Sequence, residues 1–172
     1  MRFWPRRRKA RRVPHSVAEC SRSLLDLAWD SGLKAPKLWS RELRDFQSLL
    51  GGSGVSEEKI HHEMCIYSVF VVDYAVFRYF HGRDRTLGQR IRDQLQELAY
   101  ARVLPGRSTH LKPYVAAVRR PHERGPAWTT AMEFSRQCGA PESLGLIIVA
   151  SSQFEALFKA AIGALEKLEI EG

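Results

Sequence analysis

Carboxylates and imidazoles crowd together at one place in the chain, SEEKIHHE at positions 56–63. On a helix, Glu57 with His61 and Glu58 with His62 stand four residues apart, and Glu58 with His61 forms a Glu-x-x-His pair. These spacings can bring a carboxylate and an imidazole to one ion. A dinuclear carboxylate centre in a helical bundle needs a second Glu-x-x-His and two further inward carboxylates, and the sequence holds no second motif of that kind. The expected structure here is a solvated first helical turn, with acids that suit the helix dipole and histidines that face water. Glu57, Glu58, His61 and His62 stay as the metal candidates of a third-ranked reading, a metal-dependent enzyme. No cofactor is expected, and the fold should need no metal.

The other conspicuous acid is Asp73, in the run VFVVDYAVF at 69–77. An unpaired carboxylate is costly to bury, so this setting predicts a buried Asp73 held by a hydrogen-bonding partner, an arginine from another helix. It lies eleven residues beyond His62, roughly 16 Å along a helix axis, too far to share an ion with it. No nucleophile or second carboxylate at a telling distance makes Asp73 a catalytic acid or base. The sequence carries no G-x-S-x-G, P-loop, Rossmann, H-E-x-x-H or EF-hand pattern. An enzyme is therefore not the favoured reading.

Cations cluster in two places. Residues 83–124 hold ten Lys and Arg against four acids, a net of +6. Arg107, Lys112, Arg119 and Arg120 are the candidate phosphate contacts of this zone, with Ser108, Thr109, His110, Tyr114 and His122 between them. Arg90 and Arg92 point about 200° apart on a helix, so the zone cannot present all its charge on one face. Some of its arginines should pair with acidic helices such as the C-terminal one. The second cluster is the opening, MRFWPRRRKARR, where Arg2, Arg6, Arg7, Arg8, Lys9, Arg11 and Arg12 give +7 with no acid. Phe3 and Trp4 add interfacial aromatics, which favours an anionic membrane surface as the arm's partner. A nucleic acid could use the same charges, with Trp4 stacking on a base.

The remaining segments are mildly acidic, −2 over 13–82 and −3 over 125–172, so the total of +8 comes from the arm and the middle zone. Three dispersed cysteines, Cys20, Cys65 and Cys138, suit a reducing compartment and form no C-x-x-C pair. No apolar h-region follows the basic start, so neither a secretory nor a twin-arginine signal fits. Pro5 and Pro14 make a mitochondrial presequence a poor fit, and position 2 is not the glycine that N-myristoylation needs.

The elements that must position these residues are helices. Ser16 with Glu19 and Thr86 with Gln89 match the capping box, and Ser56 starts a helix with acids at 57 and 58 and a staple from Val55 to Ile60. Stops fall at Gly32 with Leu33, at Gly51 with Gly52, at Gly82, at Pro105 with Gly106, and at Gly139 before Pro141. One apolar stripe joins Val17, Cys20, Leu24, Leu27 and Ala28. A second joins Trp39, Leu43, Phe46, Leu49 and Leu50, and a third Leu87, Ile91, Leu95 and Leu98. The segment 57–80 is apolar nearly all round from Met64 onward, the pattern of a central bundle helix. Asp73 and Arg78 spoil it as a membrane span. A last helix over 143–170 draws a seam through Leu144, Ile148, Ser151, Phe154, Phe158, Ile162, Leu165 and Leu168, and Ala160, Ala161, Gly163 and Ala164 would admit a close neighbour. YVAAV at 114–118 suits a short strand or a helix behind Pro113 equally.

The expected fold is all-α: a single helical bundle of about six helices over 15–172, around the central apolar helix, behind a disordered basic arm at 1–14. The function that fits is a non-catalytic protein-interaction or adaptor module, cytoplasmic and membrane-peripheral, held at an anionic surface by its arm. The alternative is a nucleic-acid-binding protein using the arm and the 83–124 zone. The sequence leaves the protein partner and the oligomeric state open.

Overall fold

In a computed structural model the described residues are 14–31, 55–102 and 110–170. They form six helices: α1 (17–31), α2 (Glu57–Phe80), α3 (Arg85–Arg102), α4 (Lys112–Val118), α5 (Gly125–Gln137) and α6 (Leu144–Lys167). The one extended pairing among these residues is a two-residue parallel bridge between Pro14–His15 and Glu169–Ile170, which places the start of α1 beside the end of α6. The protein is an all-α bundle with α2 at its centre. α2 packs against α3, α5 and α6, and α5 also packs against α4 and α6.

Local sequence explains most of the boundaries. Ser16 and Glu19 close a reciprocal capping box, the Glu19 amide donating to Ser16 Oγ at 3.3 Å and the Ser16 amide to the Glu19 carboxylate at 2.9 Å. Ser56 caps α2, accepting from the Lys59 amide at 3.2 Å, with Ile60 buried and Val55 packed on the core. Ser143 caps α6. Helix α5 ends in a Schellman turn: Gly139 adopts φ +89°, its amide donates to the Arg136 carbonyl and that of Ala140 to the Ser135 carbonyl. YVAAV is helical, inside α4. The start of α3 corrects the sequence reading. Asp84, not Thr86, is the cap: its carboxylate accepts from the Leu87 amide at 2.9 Å, while Gln89 reaches forward to Asp93. A carboxylate caps as well as a hydroxyl and adds a charge that the helix dipole favours.

Helix α2 is buried almost continuously from Met64 to Val76, as its composition demands. Its last turn emerges from the bundle, with Phe77 41% exposed and Arg78 in solvent. The α6 seam differs from the expected one. The buried row is Leu146, Ile147, Ala150, Phe154, Leu157, Ala161 and Leu165, while Leu144 and Ile148 are exposed. This helix is apolar on adjoining rows, and packing against α5 and α2 selects the row that periodicity alone leaves ambiguous. Its length and mean hydropathy of 1.4 would let α6 cross a bilayer, a test that core helices also pass, and Glu155 and Lys159 stand exposed near its middle. The Trp39–Leu50 stripe, the stops at Gly32, Gly51, Gly52, Pro105 and Gly106, and the arm at 1–12 lie outside the described residues.

Candidate functional site

Apolar side chains on the C-terminal half of α2 recur at positions 70, 74 and 77, one helical face, and each is aromatic. Their rings form a ladder: Phe70 to Tyr74 at 6.1 Å, Tyr74 to Phe77 at 6.2 Å, and Phe77 to His81 at 5.2 Å. The lower end is fixed by Tyr114 of α4, 5.4 Å from Phe70, and the middle by Phe154 and Phe158 of α6, 6.1 and 5.9 Å from Tyr74. Exposure climbs along the ladder, from 1% at Phe70 to 41% at Phe77. A buried base thus holds an exposed aromatic tip in place.

Asp73 lies beside this ladder and is buried. Its partner is Arg92 of α3, whose Nε donates to Oδ1 at 3.1 Å and whose second guanidinium nitrogen donates to Oδ2 at 2.8 Å. Gln96, one turn on, donates to Oδ1 at 2.8 Å. The carboxylate is fully engaged by a planar fork and an amide, the arrangement that makes a buried charge tolerable. Arg92 also lies over the Phe77 ring, 5.5 Å from its centroid. It belongs at once to the core pair and to the surface.

Two adjoining clefts open at that surface and share Phe77 and Arg92. The larger, ≈ 260 Å³, lies between α2, α3 and α4, on Phe70, Tyr74, Phe77, Val115 and Val118, with Asp73, Arg92 and Arg119 as its charged lining. The smaller, ≈ 210 Å³, adds Phe80, His81, Arg85, Gly88 and Gln89. Arg119, the C-cap of α4, is exposed, and its guanidinium has no hydrogen-bond or ion-pair partner among the described residues. Arg85 donates through Nε to the His81 carbonyl and keeps its terminal nitrogens for other contacts. Aromatic and aliphatic walls beside guanidinium groups equip the clefts to bind apolar groups next to anionic ones.

The other candidates do not assemble. Glu57, Glu58 and His62 are exposed and His61 is half-buried; the one ring contact of His62 among the described residues is with His110, at 6.4 Å. No group of three metal-ligating side chains exists among the described residues. Lys112 stands at the start of α4 and Arg119 and Arg120 just past its end, roughly 10 Å apart for seven residues. Arg107 lies outside the described residues, as do Arg2, Phe3, Trp4, Arg6, Arg7, Arg8, Lys9, Arg11 and Arg12. Several arginines of the basic zone have internal tasks. Arg92 binds Asp73 and Arg102 binds Asp26 of α1 at 2.9 Å. Arg83 and Arg124 lie over Tyr79 and Trp128, 4.0 and 4.3 Å from the ring centroids. The acidic partners of Arg92 and Arg102 belong to α2 and α1, the rings under Arg83 and Arg124 to α2 and α5, and none of these contacts reaches α6.

Three features escaped the sequence reading. Glu133 of α5 is a second buried carboxylate, bound by Arg136 at 2.6 and 2.7 Å and by Gln137 at 2.6 Å, with Arg120 at 3.9 Å. Its signal was available: a lone acid among small and apolar residues, with Arg and Gln at the third and fourth positions after it. Tyr114 donates to Glu63 at 3.3 Å; burial, and then the Glu63 charge, hold its phenol well above the ordinary value. The aromatic ladder was visible in spacing but hidden inside an all-apolar run. The three thiols are buried and unlinked; burial raises all of them, Cys20 to about 11 and Cys138 to about 12, so none is a ready nucleophile near neutral pH. Comparison with family models, curated proteins and solved structures gives no match, so no relative lends this chain a function.

Proposed function

We propose that this protein is a non-catalytic interaction module that docks a partner protein on its α2–α3–α4 face and is held near an anionic membrane surface, on the cytoplasmic side, by the basic arm at 1–12. The observation that carries the docking half is Phe77. A phenyl ring 41% exposed, at the divide between two clefts and backed by a ladder of rings, is an anchor point of the kind that interfaces use. Its neighbour Tyr74 is packed against Phe154 and Phe158, which leaves little side-chain ordering to oppose association. The arm half rests on sequence alone: +7 within twelve residues, with Phe3 and Trp4 to enter the interface.

A photo-crosslinking residue at position 77, introduced into the full chain in the cells it comes from, tests the docking half. A discrete crosslinked protein from position 77, but not from exposed Glu155 on α6, is expected; identical smears from both positions would refute it. Co-sedimentation with phosphatidylserine vesicles, with and without residues 1–12, tests the tether. Equal sedimentation of the two forms would remove it.

A further inference from the structure

The geometry points to an acidic amphipathic helix of the partner protein as the occupant of the paired clefts, with two apolar side chains seated on either side of Phe77 and carboxylates meeting Arg85, Arg92 and Arg119. This rests on the docking reading above and adds the partner's chemistry.

Size supports a peptide. Each cleft, ≈ 260 and ≈ 210 Å³, falls below the volume of about 300–1,000 Å³ usual for drug-sized ligands and cofactors. Each is suited to one side chain. Two such sockets separated by a single ring match the way a helix presents neighbouring side chains three or four residues apart, the helix-in-groove mode of recognition. A single small molecule would gain little from a site split by Phe77.

Charge complementarity selects the acidic partner. The combined lining contains three guanidinium groups, Arg85, Arg92 and Arg119, and one carboxylate, Asp73. Asp73 is only 3% exposed at its side chain, and both its oxygens are engaged by Arg92 and Gln96, so it has nothing to offer a visitor. Arg92 spends Nε and one terminal nitrogen on Asp73; among the described residues its other terminal nitrogen reaches only Gln89, at 3.5 Å. That nitrogen and the Arg119 guanidinium, unpartnered among the described residues, give the larger cleft a cationic rim above an aromatic floor. A basic partner would bring its cations against this rim, a mismatch that costs specificity as well as affinity.

Three synthetic helical peptides of about 14 residues test this against the isotope-labelled full chain. One carries Leu and Phe four residues apart flanked by Glu, the second has the same anchors flanked by Lys, and the third keeps Glu but replaces both anchors with Ala. The first should shift the methyl resonances of Val115 and Val118, and the other two should bind about tenfold more weakly or worse. In Arg119→Glu the preference between the Glu and Lys peptides should shrink or invert, because a rim cation has become an anion. Equal binding of the Glu and Lys peptides, or shifts that miss Val115 and Val118, would overturn the assignment. Failure of all three while position 77 still crosslinks a discrete protein would sink the acidic-helix chemistry alone; loss of the crosslink as well would sink the docking reading with it.

Discussion

Asp73 and Glu133 are each only 2% exposed, yet they are held in opposite ways. Asp73 on α2 takes its partners from α3, nineteen and twenty-three residues along the chain. Glu133 takes Arg136 and Gln137 from its own helix, at the third and fourth positions, and the Arg136 side chain is 57% exposed. The first arrangement ties two helices together and fixes Arg92 over the Phe77 ring. The second is mostly a local patch on one helix, with Arg120 the single cation among the described residues that reaches it from beyond α5, at 3.9 Å. Burial of a carboxylate therefore says little about its role until the origin of its partner is known. A distant partner makes the pair an element of tertiary structure, and a local one makes it an adjustment within a helix.

The largest effect should come from splitting the α2–α3 pair. Arg92→Ala leaves Asp73 charged, buried and bound only by Gln96, a loss of about 3–5 kcal/mol in denaturant unfolding. Asp73→Leu removes the charge together with the need for a partner, so it should cost less than half of that. Equal losses in the two variants would show that the pair is not what joins these helices. A smaller loss should come from Gly88→Ala on the same seam. A Cβ there would stand 2.5 Å from Phe80 Cβ, so α3 must move off α2 at a cost of about 1–3 kcal/mol, although alanine is the better helix former. At Gly163 in α6 an added Cβ meets nothing within 4 Å among the described residues, and Gly163→Ala serves as the control, with a gain of about 0.5–1 kcal/mol. A gain at both glycines would mean that the α2–α3 seam is loose.

Features set by nearest neighbours in the chain were the legible ones. Ser16 with Glu19, Ser56 and Gly139 act through backbone groups within one turn, and α2 betrays its central place by a composition that no surface helix could carry. The charge of Asp73 was legible as an anomaly, and its need for an arginine followed from solvation. Which arginine followed from nothing local, because Arg92 is selected by how α3 lies on α2. The α6 row and the Asp84 cap were missed because two adjacent solutions had similar local merit, and tertiary packing chose between them. The clefts were illegible for the same reason: their lining comes from α2, α3 and α4, and although Arg119 stood out as a candidate phosphate contact, nothing local set it beside Phe77 and Arg92.

The smallest expected effect, at Glu133, decides whether the contrast between the two carboxylates holds. Arg136→Ala removes the shortest of its ion pairs, 2.6 Å, yet Gln137 still donates at 2.6 Å and the exposed Arg120 guanidinium stands 3.9 Å away. The Arg136 side chain is 57% exposed and its ion pair is screened by solvent, so its removal surrenders less than removal of Arg92 from the α2–α3 seam. A loss of about 1 kcal/mol is expected, near the net value of one hydrogen bond. Arg120→Ala alone should be nearly neutral, while the double variant should exceed the sum of the two, because the second cation then has no substitute. Thermal and denaturant unfolding of the four proteins measure that coupling. If Arg136→Ala alone costs as much as Arg92→Ala, then Glu133 depends on one partner just as Asp73 does, and the distinction between a local and a cross-helix pair collapses.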